Sequence, residues 1–104
     1  MVLHVAKYDI QPGKLEEYQK WTEGAIKRAL GVPGLLEFRA YRPVTGSFQI
    51  VLTYELADLA AWASWYGSAT TQTLMSELYR FALNVNTEVW GPSPVVPVPL
   101  RPGK

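Results

Sequence analysis

Hydrophobic positions change their spacing several times along the chain, and each change marks an element. "VLHVAKYDI" is short, rich in β-branched and aromatic residues, and stopped by "QPG", which predicts a strand over about residues 2–9. From Lys14 the period lengthens. Leu15, Tyr18, Thr22, Ala25, Ile26 and Ala29 recur at steps of three and four and define one apolar helix face. Glu16 with Lys20 and Glu23 with Lys27 stand i,i+4 on the wet side, each pair contributing about 0.2–0.5 kcal/mol. Gly31 is a natural stop, and Pro33 blocks continuation.

"GLLEFRAYRP" then alternates, and "VTG" turns the chain into "SFQIVLTYEL", where Phe48, Ile50, Leu52 and Tyr54 alternate with Gln49, Val51, Thr53 and Glu55. Two alternating runs joined by a short Gly-containing connection predict a β-hairpin. Asp58 is placed to cap a short helix, "LAAWASWYG", which Gly67 breaks. "SATTQTLMSELYRFAL" reads as a further helix, with Leu74, Leu78, Phe81 and Ala82 at helical spacing. "NVNTEVW" is a last strand, ended by "GPSP" because proline cannot continue a ladder. The order is β-α-β-β-α-β with the second crossover split into two helices. This is an α+β fold of ferredoxin-like type, an antiparallel sheet with helices on one face. Residues 1–91 form one domain and residues 92–104 a Pro-rich C-terminal arm.

Alternation assigns two sheet faces. The helix side takes Leu3, Val5, Leu36, Phe38, Ala40, Phe48, Ile50, Leu52, Val85 and Val89. The opposite side takes His4, Ala6, Tyr8, Glu37, Arg39, Tyr41, Gln49, Val51, Thr53, Glu55, Asn86, Glu88 and Trp90. That second face mixes aromatic rings with charges of both signs, the blend of an interface or of an enclosed polar site. Strict alternation puts Lys7 on the helix side, which requires a bulge or a strand end there.

Composition narrows the function classes. Only 18% of the 104 residues are charged, against ~25% in ordinary soluble domains, while 12% are aromatic, so part of the surface is expected to be covered in an oligomer. The net charge is +1 and no Lys/Arg stripe exists, which speaks against nucleic acid or an acidic membrane as partner. There is no cysteine, so disulfides, thiolate nucleophiles and Cys-type zinc sites are excluded. The single histidine, His4, excludes a multi-histidine metal site. No signal-peptide pattern opens the sequence and no apolar run approaches the ~20 residues of a membrane span, so the expected setting is the cytoplasm.

The run from Val2 to Trp90 resembles the dimeric α/β-barrel superfamily, in particular its antibiotic biosynthesis monooxygenase-like branch. "KYDIQPGKLEEYQKW", "GVPGLLEFRAYRP", "VLTYELADLAAWASW" and the closing "TEVWGPSP" carry the likeness. The resemblance implies a homodimer in which two ferredoxin-like sheets face each other as a barrel, with a ligand pocket between sheet and helices in each subunit. It implies cofactor-free oxygenation of a small aromatic or quinol-type compound as the activity, or else a non-catalytic dimer that binds or shields a small ligand. The haem-degrading relatives use a histidine on the helix before the last strand. "TLMSELYRFALN" has none, so haem degradation is not expected and no cofactor is implied.

A cofactor-free oxygenase needs an aromatic-lined pocket and a group that removes a proton or stabilises the anion. Trp21, Trp62, Trp65, Tyr66 and Tyr79 lie on elements that cover the sheet; of these Trp62, Trp65 and Tyr79 are the substrate-contact candidates, beside the commoner role of core packing. His4 has the only unperturbed pKa near neutrality, which makes it the candidate catalytic proton acceptor, beside the alternative of a packed strand residue. Arg39 offers an anion site or an ion pair with Glu37, Glu55 or Glu88. Tyr8 and Tyr41 offer hydrogen bonds to a ligand oxygen or simply fill the barrel.

Five of the eight prolines fall in the last thirteen residues, between Val95, Val96, Val98 and Leu100. With no second domain after it, the segment is expected to be an arm that docks on a partner subunit or on its own barrel rim. A stiff extended arm loses little entropy when its apolar residues dock.

Overall fold

The computed structural model describes residues 1–103. Its elements are β1 (Val2–Ile10), α1 (Leu15–Leu30), β2 (Glu37–Tyr41), β3 (Ile50–Leu56), α2 (Leu59–Tyr66), α3 (Ala69–Leu78) and β4 (Ala82–Trp90). The four strands form one antiparallel sheet in the order β2-β3-β1-β4. This is the expected ferredoxin-like α+β arrangement, with two helices in the second crossover. Asp58 caps α2 by accepting from the Ala61 N–H at 2.8 Å, and Ser68 caps α3 by accepting from the Thr71 N–H at 3.2 Å. Among the described residues no helix is long and apolar enough to cross a membrane.

Two boundaries differ from the periodicity. The connection between β2 and β3 runs over residues 42–49 and includes Phe48, so it is not a tight hairpin turn. Helix α3 stops at Leu78, although Phe81 and Ala82 continue its spacing. The end of β1 competes for this backbone: the Gln11 N–H donates to the Phe81 carbonyl at 2.8 Å, and its side-chain amide donates to the carbonyls of Tyr79 at 3.2 Å and Ala82 at 3.1 Å. Ile10 then pairs with Ala82, and the residues read as a last helical turn begin β4.

The face assignment of β1 is inverted. Residues directly opposite in an antiparallel pair share a face, and His4 lies opposite Tyr54, Ala6 opposite Leu52, and Tyr8 opposite Ile50. His4, Ala6 and Tyr8 therefore belong to the helix side, while Leu3, Val5 and Lys7 join the open face. The apolar content of Leu3 and Val5 suggested the reverse; Lys7 carried the right phase. On the open face Lys7 pairs with Glu88 at 3.4 Å and lies 5.5 Å from the centre of the Trp90 ring. A bulge does exist, but on β4. Lys7 pairs with Asn86 and Asp9 with Leu83, leaving an extra β4 residue between them. Asn84 takes the left-handed conformation there (φ 57°), and its amide donates to the Asp9 carboxylate at 3.0 Å.

Two buried clusters brace the ends of the helix side. Val2, Val32, Leu56 and Trp65 pack under α2, and Tyr8, Tyr18, Phe81 and Ala82 pack between α1, α3 and the sheet. Leu56 is 0% exposed, whereas Leu36 is 60% exposed. Leu56→Ala should therefore cost about 2–5 kcal/mol in urea unfolding. Leu36→Ala should stay within about 0.5 kcal/mol of the parent. Equal losses at the two positions would contradict this placement of the core.

Candidate functional site

All six residues of the apolar α1 face (Leu15, Tyr18, Thr22, Ala25, Ile26 and Ala29) line one cavity between the helices and the sheet. The helix thus turns its apolar stripe toward the sheet without closing onto it. The cavity measures about 1320 Å³, above the roughly 300–1,000 Å³ of typical ligand pockets. Its floor is the helix side of the strands, where Phe38, Ala40, Leu52 and Tyr54 share one face by register. Side chains on β1 rise ~3.3 Å per residue, so His4 and Tyr8 mark points about 13 Å apart along this floor.

At one end, His4 is enclosed by aromatic rings. Trp62, Trp65 and Tyr66 cover it from α2 and Tyr54 from β3, with ring centres 6.4, 5.2, 5.6 and 5.8 Å away. The Trp62 indole N–H donates to His4 Nδ1 at 3.1 Å. An indole nitrogen only donates, so Nδ1 must carry the lone pair and the neutral ring holds its proton on Nε2. His4 Nε2 and Trp65 Nε1 are both buried without a protein hydrogen-bond partner. Burial holds the His4 pKa down at about 4, because charging the ring would require removing an ion from water. No carboxylate is among the groups that pack on it.

Toward the other end, the Tyr8 and Tyr18 hydroxyls meet at 2.5 Å and tie α1 to β1. Burial raises both phenol pKa values, and Tyr54 likewise, so none of the three is an anion near neutral pH. The mouth is braced by Gln49, whose side chain accepts from the Ile10 N–H at 2.7 Å and whose own N–H donates to Asp9 at 2.9 Å. Glu77 joins α3 to α1. It accepts from the Trp21 indole at 2.7 Å and pairs with the Arg28 guanidinium. Arg28 first, then Trp21, holds its carboxyl down at about 2.

The residues singled out in the sequence separate into two places. His4, Tyr8, Trp65 and Tyr79 line the cavity, with Tyr79 largely exposed; Tyr41, which its register puts on the open face, borders the cavity only from the end of β2; Trp62 stands behind His4 as its hydrogen-bond donor. Arg39 lies on the open face, where its guanidinium donates to Glu37 at 2.7 Å. Tyr54 and Tyr18, the neighbours of His4 and Tyr8, were not singled out. Their signals were present: Tyr54 shares the phase of Leu52, and Tyr18 lies on the apolar face of α1. Among the described residues, no group of three or more His, Cys, Asp or Glu side chains is placed to hold a metal ion.

The sheet order, the split crossover and the aromatic cavity define a class, the ferredoxin-like α+β proteins with a chamber between helices and sheet. The antibiotic biosynthesis monooxygenase family profile matches residues 1–76, and the chain belongs to that family. No curated protein matches its sequence. Among solved structures it is similar to a DABB family protein with a ferredoxin-like fold from Mesorhizobium loti, at 14% identity and a TM-score of 0.78, covering 88% of this chain and 96% of that one. It is similar to HapK from Hahella chejuensis, at 15% identity and a TM-score of 0.74, covering 99% of this chain and 100% of that one. A third is a dimeric ferredoxin-like protein of unknown function from Thermobifida fusca, at 8% identity and a TM-score of 0.71, covering 86% and 88%. At these identities the likeness concerns the fold alone.

His4 supplies a pH test. Its pKa falls from 6.5 to about 4 on folding, so between these values the unfolded chain binds a proton that the folded chain refuses. Its contribution to stability is complete above the unfolded pKa, declines as pH falls through the window and levels off below about 4. NMR titration of the single histidine should give a midpoint near 4, and the urea midpoint should already fall as pH drops from 6.5 toward 4. A midpoint at or above 6.5 would show that the ring is not enclosed as described.

Proposed function

We propose that the chain acts as a homodimeric monooxygenase, without metal or flavin, on a small aromatic or quinol-type compound in the cytoplasm. The observation that carries this reading is the aromatic cavity with two buried N–H groups, His4 Nε2 and Trp65 Nε1, that lack protein acceptors. Electron-rich enolates and phenolates react with oxygen directly, so the protein's task is to bind the compound away from water and favour its anion. For an anthrone the balance is complete: the CH₂ group and O₂ yield a ketone and water, both hydrogens coming from the substrate. Family membership supports the same reading. In an oxygen electrode, metal-free protein should accelerate oxygen uptake by an anthrone or hydroquinone panel. A flat trace across the panel would sink the oxygenase reading.

One observation favours a second reading, a dimer that binds or shields a small ligand without turning it over. His4 Nδ1 is occupied and Nε2 is protonated, so the neutral ring offers no free lone pair for proton abstraction. Ligand binding with no oxygen uptake would decide for it.

The dimer reading rests on the open face and the arm. Tyr41 and Trp90 are 48% and 47% exposed on a sheet face that no helix covers. Val95, Val96, Val98 and Leu100 are 87%, 44%, 62% and 76% exposed, which leaves the arm's apolar side chains available to a partner. The Cα radius of gyration, 15.1 Å, exceeds the ~13 Å of a compact chain of this length, in keeping with a projecting arm. The Thermobifida fusca protein of similar fold is described as dimeric. In this reading the arm lies on the partner subunit. Sedimentation should show a dimer at micromolar concentration, and removal of residues 92–104 should weaken it about tenfold or more, which is ~1.4 kcal/mol, without unfolding the subunit. A monomeric full chain, or an unchanged dissociation constant, would retire the respective claim.

A further inference from the structure

His4 and Trp65 are 2% and 3% exposed, both residues line the cavity, and each carries a buried polar nitrogen that no protein atom satisfies. Leaving a buried donor unpaired costs about 1–3 kcal/mol, and here two lie in rings whose centres are only 5.2 Å apart. Both nitrogens are donors. Trp65 Nε1 has no lone pair to offer, and the Trp62 N–H on Nδ1 makes His4 Nε2 an N–H as well. A cation, an ammonium group or a hydroxyl hydrogen therefore has nothing to bind at this end of the cavity. An oxygen acceptor does, and a negatively charged one gains most. The surrounding rings of Tyr54, Trp62 and Tyr66 exclude water and leave the two donors without a competing charge.

We propose that His4 Nε2–H and Trp65 Nε1–H form an oxyanion-binding site that takes the enolate or phenolate oxygen of a planar aromatic ligand, with Trp62 as the positioning residue that holds His4 in the donating tautomer. This rests on the reading of the cavity as a site for an aromatic compound, and it assigns His4 a different role from that of a base. The site lowers the acidity barrier of a bound phenol or ketone by stabilising its anion, and the released proton leaves to solvent. Tyr8 and Tyr18 are uncharged at neutral pH and hydrogen-bonded to each other, and they stand farther along the floor beside the body of the ligand.

The test uses binding rather than turnover. Pentafluorophenol is an anion at neutral pH, and pentafluorotoluene has a similar shape without the oxygen; ¹⁹F NMR titration of the full chain measures both. The phenolate should bind at least about tenfold more tightly than the toluene, and Trp65→Phe should remove about tenfold from the phenolate while moving the toluene by less than about twofold. Equal affinity of the two probes for the parent protein, an equal loss for both in Trp65→Phe, or no binding of either probe would each overturn the proposal. Should Trp65→Phe not fold, the comparison of probes on the parent protein still decides.

A second measurement needs no ligand. In tag-free protein labelled with ¹⁵N at histidine, the single imidazole should show the Nε2–H tautomer, and Trp62→Phe should let the Nδ1–H form appear. An Nδ1–H ring in the parent protein would overturn the proposal. The oxygenase reading can fail separately: selective phenolate binding without oxygen uptake leaves the oxyanion site standing and removes the catalytic role.

Discussion

The pairing of β1 between β3 and β4 is the constraint from which the site follows. A strand's side chains alternate, so once its register against either neighbour is set, its phase is set as well. With His4 opposite Tyr54 and Ala6 opposite Leu52, the only histidine is carried under α2 rather than onto the open face. A shift of one residue would expose His4 and Tyr8 and bury Lys7. It would also break the pairing of Lys7 with Glu88 and the hydrogen bond between Tyr8 and Tyr18. Each consequence opposes the shift, and so the register is strongly specified.

The cavity exists because the two core clusters act as separate supports. Trp65 and Leu56 hold α2 against one end of the sheet, and Tyr8, Tyr18 and Phe81 hold α1 and α3 at the other. Between them the apolar side of α1 faces open space. The Arg28–Glu77–Trp21 connection joins α1 and α3 to each other rather than to the sheet, which keeps that part of the roof together over the space. A helix face normally gains its stabilisation by closing on the core. Here part of that gain is forgone, and the surface left apolar is suited to a flat aromatic compound.

Tautomer decides what the buried histidine can do. A solvent-exposed imidazole titrates near neutrality and serves as a base, but His4 is surrounded by rings and receives an N–H from Trp62. Both effects favour a neutral ring that donates through Nε2. The chemistry open to such a group is stabilisation of developing negative charge, which is compatible with oxygenation that proceeds through a substrate anion and equally with plain ligand binding. That is why the experiments on oxygen uptake and on phenolate binding separate the two readings.

Local spacing was enough to determine most of the fold. The 3.6-residue repeat of α1, the cap at Asp58, and the alternation of β2 and β3 each express a short-range rule that a dozen residues can carry. The aromatic enrichment was also legible, and His4, Trp62 and Trp65, all distinctive in the sequence, do lie together at one end of the cavity. Tertiary structure alone decided the end of α3, where Gln11 captures the backbone of Phe81 and Ala82, because that competition joins residues far apart in the chain. It alone decided the phase of β1, since alternation gives two faces but does not say which meets the helices. The donating state of His4 was likewise beyond the sequence: it depends on one hydrogen bond from Trp62, fifty-eight residues away, which forms only after α2 folds over the sheet.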